Sequence, residues 1–224
     1  MIMKISTETL NVLKNFSTIN SSLVVKAGSV IRTVSPVKNI LAEYVCKEVF
    51  EQDFALYDLN EFLGGLYLFK DAEFLFDNTS YLTIKSGRSK VKYFFSDPSL
   101  ITSPSDKQIP MDGENVEFEL SEEVLSSLLK AANVYQLKDL SLISDDGEIN
   151  LVVRNKDNDT SNSFSAKVGE TDKEFVFNFK IENIKIIPDV YKVLVSPRNI
   201  SQFISTKYNL QYWIALEPDS TFGG

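Results

Sequence analysis

The sequence predicts an α+β fold built as two similar domains. Three observations carry this. Short strand-like runs outnumber the amphipathic helical ones, a similar order of elements recurs in each half, and a Pro/Ser-rich stretch separates the halves. At 224 residues the chain can hold two domains of about 110 residues each. Identity between the halves is too weak to define a sequence repeat, so the likeness is one of element order.

Ser6 offers an N-cap and Glu8 a first-turn acid. At 100° per residue Leu10, Val12, Leu13, Phe16 and Ile19 then share one face, so Thr7 to Ile19 is expected to be a helix. Its opposite face carries Thr7, Asn11, Lys14 and Thr18. Leu23–Val25, Val30–Val34 and Ala42–Phe50 have the β-branched and aromatic content of strands. Asp58 and Glu61 form a pair resembling a capping box ahead of Leu59, Phe62, Leu63 and Leu66, which predicts a second helix. Gly64-Gly65 inside it is expected to permit close helix packing. Phe74–Phe76, Tyr81–Ile84 and Val91–Phe95 complete the first half, with a hairpin turn expected at Ser86-Gly87.

Ser96-Asp97-Pro98-Ser99 through Pro104 and Ile109-Pro110 is the densest Pro/Ser stretch and reads as a connector. The expected domains are therefore 1–108 and 109–224. After the strand Val116–Leu120, Ser121 caps a third helix, Glu122 to Gln136. Its apolar stripe is Val124, Leu125, Leu128, Ala132 and Tyr135, and its far side shows Glu123, Ser126, Lys130 and Asn133. Leu140–Ile143 and Ile149–Val153 are expected to pair across an Asp146-Gly147 turn. Phe175–Phe179, Tyr191–Val195 and Tyr212–Leu216 are further strands, and a short helical turn at Ile181–Ile187 is expected to stop at Pro188. Asn155 to Asn162 reads as a mobile polar loop. Trp213 is expected in a sheet core and Cys46 as a small buried hydrophobe.

Composition narrows the function. The hydrophobic fraction of 43% is that of a globular chain, and no run nears the roughly 18 apolar residues of a membrane span. The N-terminal Met1-Ile2-Met3-Lys4 lacks a signal-peptide apolar region, and a lone cysteine fits a reducing compartment; a soluble cytoplasmic protein with no membrane partner is expected. There is no histidine, which removes the commonest general base and metal ligand. With one cysteine, Cys/His zinc sites are impossible, and no phosphate-binding glycine loop is present. Asp145-Asp146 and Asp157 to Asp159 lie in turn contexts, where solvated loop acids are the rule. The expectation is a chain without catalytic residues, metal or cofactor. The net charge of −8 argues against nucleic acid unless the cations are segregated from the acids.

Several segments, taken in order, resemble one family. Leu13-Lys14-Asn15-Phe16-Ser17-Thr18-Ile19-Asn20-Ser21 and Tyr57-Asp58-Leu59-Asn60-Glu61-Phe62-Leu63-Gly64 are similar to the first two helices of the T-even-type bacteriophage DNA polymerase sliding clamps. So are the connector Asp97-Pro98-Ser99 with Ile109-Pro110, Phe177-Asn178-Phe179 with Tyr191-Lys192-Val193-Leu194, and the ending Ala215-Leu216-Glu217-Pro218-Asp219-Ser220-Thr221, where Pro218 departs from the family pattern. The resemblance spans nearly the whole chain. It implies two clamp domains per subunit and a homotrimeric ring, closed head to tail, with strands as the outer layer and helices lining the hole. It implies a non-catalytic processivity factor that encircles duplex DNA without sequence preference, tethers the DNA polymerase and is placed by an ATP-dependent clamp loader, in the host cytoplasm. The competing class is an α+β regulatory or enzyme subunit that binds no DNA. A sequence-specific DNA binder is disfavoured because no basic recognition helix is visible.

On the family reading, Lys14 and Lys130, each at the centre of a polar helix face, become phosphate-facing; without it they are ordinary solvated lysines. Lys26, Lys185 and Arg88 form a second tier of DNA-contact candidates. The cluster Lys85, Arg88, Lys90 and Lys92 serves equally well as edge-strand protection. The resemblance also implies a pocket for a partner's short hydrophobic peptide beside the connector and C-terminus, involving Leu100, Ile101, Ile109, Pro110, Leu216 and Pro218. The alternative for these six is linker and core packing.

Overall fold

In a computed structural model, which describes residues 2–158 and 160–223, the chain divides into two units, Met1–Asp106 and Lys107–Gly224. Unit 1 runs β1 (Ile2–Met3), α1 (Thr7–Ile19), β2 (Leu23–Val25), β3 (Gly28–Val34), β4 (Ile40–Phe50), β5 (Phe54–Leu56), α2 (Leu59–Leu66), β6 (Glu73–Leu75), β7 (Tyr81–Ser86) and β8 (Ser89–Phe94), then a single 3-10 turn at Pro98–Leu100. An antiparallel sheet has the order β1-β6-β7-β8; β3 pairs with β4 and β2 with β5. Strict alternation along β4 turns Ala42, Tyr44, Cys46, Glu48 and Phe50 inward. α1 packs on this layer and on α2. The core gathers Phe16, Leu23, Ile31, Leu59, Phe62 and Phe74, and the Phe54 ring lies 5.5, 5.3 and 5.2 Å from Phe50, Phe76 and Phe95.

Unit 2 runs β9 (Val116–Leu120), α3 (Glu122–Tyr135), β10 (Asp139–Asp145), β11 (Glu148–Arg154), β12 (Phe164–Glu170), β13 (Phe175–Lys180), β14 (Tyr191–Ser196), β15 (Ile200–Ser205), β16 (Leu210–Ala215) and β17 (Thr221–Phe222). One antiparallel sheet has the order β12-β11-β10-β13-β17; β9, β14, β15 and β16 pair in the order β16-β15-β14-β9. Asp146 and Gly147, both at positive φ, make the two-residue turn between β10 and β11. α3 packs on β11 and β12, over Leu142, Leu151, Val153 and Phe177.

The α+β class and the three long helices match the sequence patterns. Several local expectations do not. In α1 the buried residue is Thr9 rather than Leu10, because its hydroxyl is drawn in to a buried carboxylate, Glu48. α3 stops at Tyr135, which is half exposed, and Gln136 takes the left-handed C-cap conformation. The turn expected at Ile181–Ile187 is only a 3-10 turn, Ile181–Asn183; the chain then runs extended enough to bury Ile184 and Ile186, two residues apart. The β7–β8 turn falls on Gly87-Arg88, one residue later than expected, with Gly87 at positive φ. Gly64 and Gly65 do not serve close packing, since a Cβ at either would meet nothing within 4 Å. The helices of the two units also differ: among the described residues unit 2 has no second α-helix to match α2.

Candidate functional site

Two helices present solvated polar faces with a lysine at the centre. In α1 the start is fixed twice. The Ser6 hydroxyl accepts from the Thr9 amide at 3.2 Å, and Glu48 on β4 accepts from the Ser6 amide at 2.5 Å and the Thr9 hydroxyl at 2.7 Å. Glu8 in the first turn accepts from the Tyr44 hydroxyl at 2.9 Å and pairs with Lys47 at 3.0 Å. These contacts depress both carboxyls. Lys47 and Tyr44 hold Glu8 low; burial would raise Glu48, but the donors from Ser6 and Thr9 outweigh it. With its rotation set at this end, α1 buries Val12, Leu13, Phe16 and Ile19 and exposes Thr7, Asn11, Lys14 and Thr18.

Lys14 is exposed and forms no ion pair among the described residues. It stands on the rim of a groove of about 500 Å³ between α1 and α2, with Leu10, Asn11, Asn60, Gly64 and Tyr67 among the lining. Lys130 has a comparable setting on α3. The Ser121 hydroxyl caps the helix through the Val124 amide at 3.2 Å, Leu125, Leu128 and Ala132 are buried, and Lys130 is exposed without an ion pair among the described residues.

The second-tier cations are differently placed. The Lys26 ammonium is held by Asp106 at 2.6 Å, which counts against a phosphate role. Lys185 is half-buried in the segment after the 3-10 turn. Arg88 is exposed at the tip of the β7–β8 hairpin rather than on a helix. Around that hairpin Lys85 pairs across the strands with Lys90 and binds Glu73 at 3.4 Å, and Lys92 lies over the Tyr81 ring at 4.6 Å. β8 is the edge of its sheet and largely exposed, with Val91 38% and Phe94 67% open; β12 is likewise an exposed edge, carrying Phe164.

The six peptide-site candidates separate by burial. Leu100 is 68% exposed at the end of the 3-10 turn capped by Asp97, whereas Ile101 is buried. The following residues are tied to unit 1: the Thr102 carbonyl accepts from Asn20 at 3.1 Å, the Ser105 carbonyl from Arg32 at 2.7 Å, and Asp106 pairs with Lys26. Ile109 is half-buried and Pro110 exposed. In unit 2 the Arg198 guanidinium donates to the carbonyls of Pro110, at 3.2 Å, and Asp112, at 2.6 Å. Leu216, just past β16, is buried, and its amide donates to Asn199; Pro218 is exposed. Leu100, Pro110 and Pro218 are thus open to a ligand, while Ile101 and Leu216 are packed. Asn20, Arg32 and Arg198, which anchor the connector, are not singled out by sequence. A lone Arg sixty or more residues from its acceptors leaves no local pattern.

No catalytic constellation appears. Asp145 and Asp146 sit at a hairpin tip and Asp157 in a turn, and Asp159 lies outside the described residues. Among the described residues no cluster of three or more His, Cys, Asp or Glu side chains is placed to hold a metal. Burial, with the nearby Glu48 charge, pushes the Cys46 thiol up to about 11, and its Sγ donates to the carbonyls of Ser29 and Glu48, so it is a packed thiol and not a nucleophile. Trp213 is buried on β16, as expected of sheet core. No helix of the described residues is long and apolar enough to cross a membrane.

Residues 6–103 match the family model of the DNA polymerase processivity factor, and residues 117–218 that of the gp45 sliding clamp, C terminal. The chain is 34% identical over 228 residues to the sliding clamp of Enterobacteria phage T4, covering 98% of this chain and 99% of that protein. It is 33% identical over 222 residues to the sliding clamp of Vibrio phage KVP40, covering 96% and 99%. Among solved structures, PCNA of A. fulgidus, seen with the C-terminal region of FEN-1 bound, superposes with a TM-score of 0.71 over 98% of both chains at 15% identity.

Proposed function

The chain belongs to the phage sliding-clamp family, the DNA polymerase processivity factors, and from that membership we propose that three copies close head to tail around duplex DNA, with the α1 and α3 faces turned inward. One observation carries the reading: in a chain of net charge −8, the two longest helices each display a lysine on the exposed face with no carboxylate bound to it. Single lysines among neutral side chains meet phosphates without reading bases, as sliding requires. Two exposed, unpaired sheet edges, β8 in unit 1 and β12 in unit 2, supply what a heterologous contact needs, a different surface on each side. Phe94, Val91 and Phe164 would supply apolar area there.

The partners follow the family. The polymerase is taken to dock a short hydrophobic segment against Leu100, Pro110 and Pro218, with Ile101, Ile109 and Leu216 packed behind them; the segment bound to the related PCNA supports this mode. The DNA-contact set is Lys14 and Lys130, with Arg88 and Lys185 subsidiary. The clamp itself hydrolyses nothing, because no histidine, nucleotide loop or metal cluster is there to do chemistry, and ATP belongs to a separate loader. Its place of work is the host cytoplasm, away from membranes.

The test is retention on DNA. With polymerase, loader and ATP, the protein should stay on nicked circular plasmid during gel filtration and be lost when the plasmid is linearised. Equal retention on both forms at moderate salt would sink encirclement. ATP hydrolysis by the chain alone, rising in proportion to its own concentration, would sink the non-catalytic assignment.

A further inference from the structure

We propose that the groove between α1 and α2 seats a segment of the sugar–phosphate backbone of the encircled duplex, once per subunit, and that Gly64 is what keeps it open. This rests on the ring reading above and adds the place of contact.

Charge selects the occupant. The groove's lining includes Lys14 and no carboxylate, in a chain where acids outnumber bases 31 to 23. The nearest acid of α1, Glu8, is committed to Tyr44 and Lys47. Glu61 of α2 neighbours Asn60 but is not in the lining. The chemistry of the wall also suits a backbone segment. Asn11 and Asn60 bring amides and Tyr67 a phenol, neutral donors for phosphate oxygens or bridging water, while Leu10 gives an apolar surface for the carbon face of a deoxyribose. Tyr67 is 81% exposed, so its ring costs no core packing to use.

Gly64 is the telling residue. It lies inside α2, where glycine is disfavoured, and its φ is not positive, so the backbone does not require it. A Cβ there would meet nothing within 4 Å. Neither fold nor packing accounts for the glycine, whereas any side chain at this point would project into the groove it lines. Unit 2 offers no equivalent, since among its described residues only a 3-10 turn stands where a second helix would be needed. A ring of three would thus hold three such seats, and Lys130 would act as an isolated charge.

The experiment uses the full trimer loaded on labelled nicked plasmid by its ATP-driven loader. A photocrosslinking residue is introduced as Tyr67→p-benzoylphenylalanine and, separately, as Asn133→p-benzoylphenylalanine on the exposed face of α3. DNA adducts should form from position 67 and be lost when Gly64→Leu fills the groove, with adducts from position 133 unchanged. Adducts from 133 but none from 67, or adducts from 67 that survive Gly64→Leu, would overturn the seat and leave the ring reading standing. Adducts from neither position would overturn the ring reading itself. Adducts from 67 to polymerase or loader polypeptide in place of DNA would reassign the groove to a protein partner and overturn the proposal. If Gly64→Leu fails to give trimer, Asn60→Ala takes its place with the same expected loss.

Discussion

Phe94→Lys should dissociate the trimer while leaving the subunit folded. A phenylalanine side chain offers roughly 150–250 Å² for burial, and Phe94 leaves 67% of its surface open on the outer edge of β8. About 130 Å² is therefore available to a neighbouring subunit. At about 25 cal/mol per Å² this is close to 3 kcal/mol per interface, or about two decades in a dissociation constant. Lysine removes that area and places a charge on an edge that already carries Lys90 and Lys92, the usual way of discouraging strand pairing. Because the ring is exposed in the isolated subunit, touching Tyr81 at 5.5 Å and little else aromatic, the change should alter monomer stability by only about 0.5 kcal/mol. Sedimentation velocity over a dilution series gives the readout: a species near three times 25.3 kDa for the parent, and monomer at the same concentration for the variant. A variant with an unchanged melting temperature that still trimerises at the parent's concentration refutes the placing of β8 in the interface.

Three further outcomes are expected. Lys14→Glu with Lys130→Glu, which takes each subunit from −8 to −12, should impair loading and processive synthesis but spare the trimer. Each lysine that does engage a phosphate should contribute roughly −0.9 to the log–log salt slope, so normal processivity across a range of salt would refute the assignment. Leu100→Asp should abolish polymerase stimulation with little loss of stability, whereas Leu216→Asp, 6% exposed, should cost several kcal/mol and lower the melting temperature of unit 2; full stimulation by Leu100→Asp moves the peptide site elsewhere. Glu8 and Glu48 are held below the ordinary value of 4.5, so the stability they contribute is present above that pH and is lost as pH falls through their folded-state values. Glu48→Gln should therefore flatten the acid limb of unfolding at unit 1, and an unaltered limb would show that this pair does not govern it.

What the sequence revealed and what it hid follow from the range of the forces involved. Local patterns were readable: Ser6 and Ser121 as caps, the faces that leave Lys14 and Lys130 outward, and the Asp146-Gly147 turn. Where burial depends on a distant partner, the pattern failed. Thr9 is inside because Glu48, thirty-nine residues away, needs its hydroxyl. β15 was missed because it buries Ser201 and Ser205 on the face where a strand pattern expects apolar residues; Ser201 is satisfied by the Ile214 carbonyl at 2.8 Å. β12 was missed because an edge strand exposed along most of its length has no alternation to display. The same exposure makes it a candidate for contact with another subunit.

The acidic composition, which first argued against DNA, becomes intelligible once each cation's partner is known. Lys47, Lys85, Lys156, Lys167, Lys173, Lys180 and Lys192 are each tied to a carboxylate, as is Lys26. Their charge is largely cancelled locally, and beyond a Debye length of about 8 Å in physiological salt little of it is felt. Lys14 and Lys130, with no such partner, keep their full charge on helix faces whose other exposed side chains include Thr7, Asn11, Thr18 and Asn133. A protein held on DNA by topology has no need of a strong grip, and a strong grip would slow sliding. It does need the rest of its surface to repel stray duplex, and a net charge of −8 per subunit supplies that repulsion. Net charge and DNA contact are therefore separate quantities in this fold, the first set by the whole surface and the second by a few lysines left unpaired.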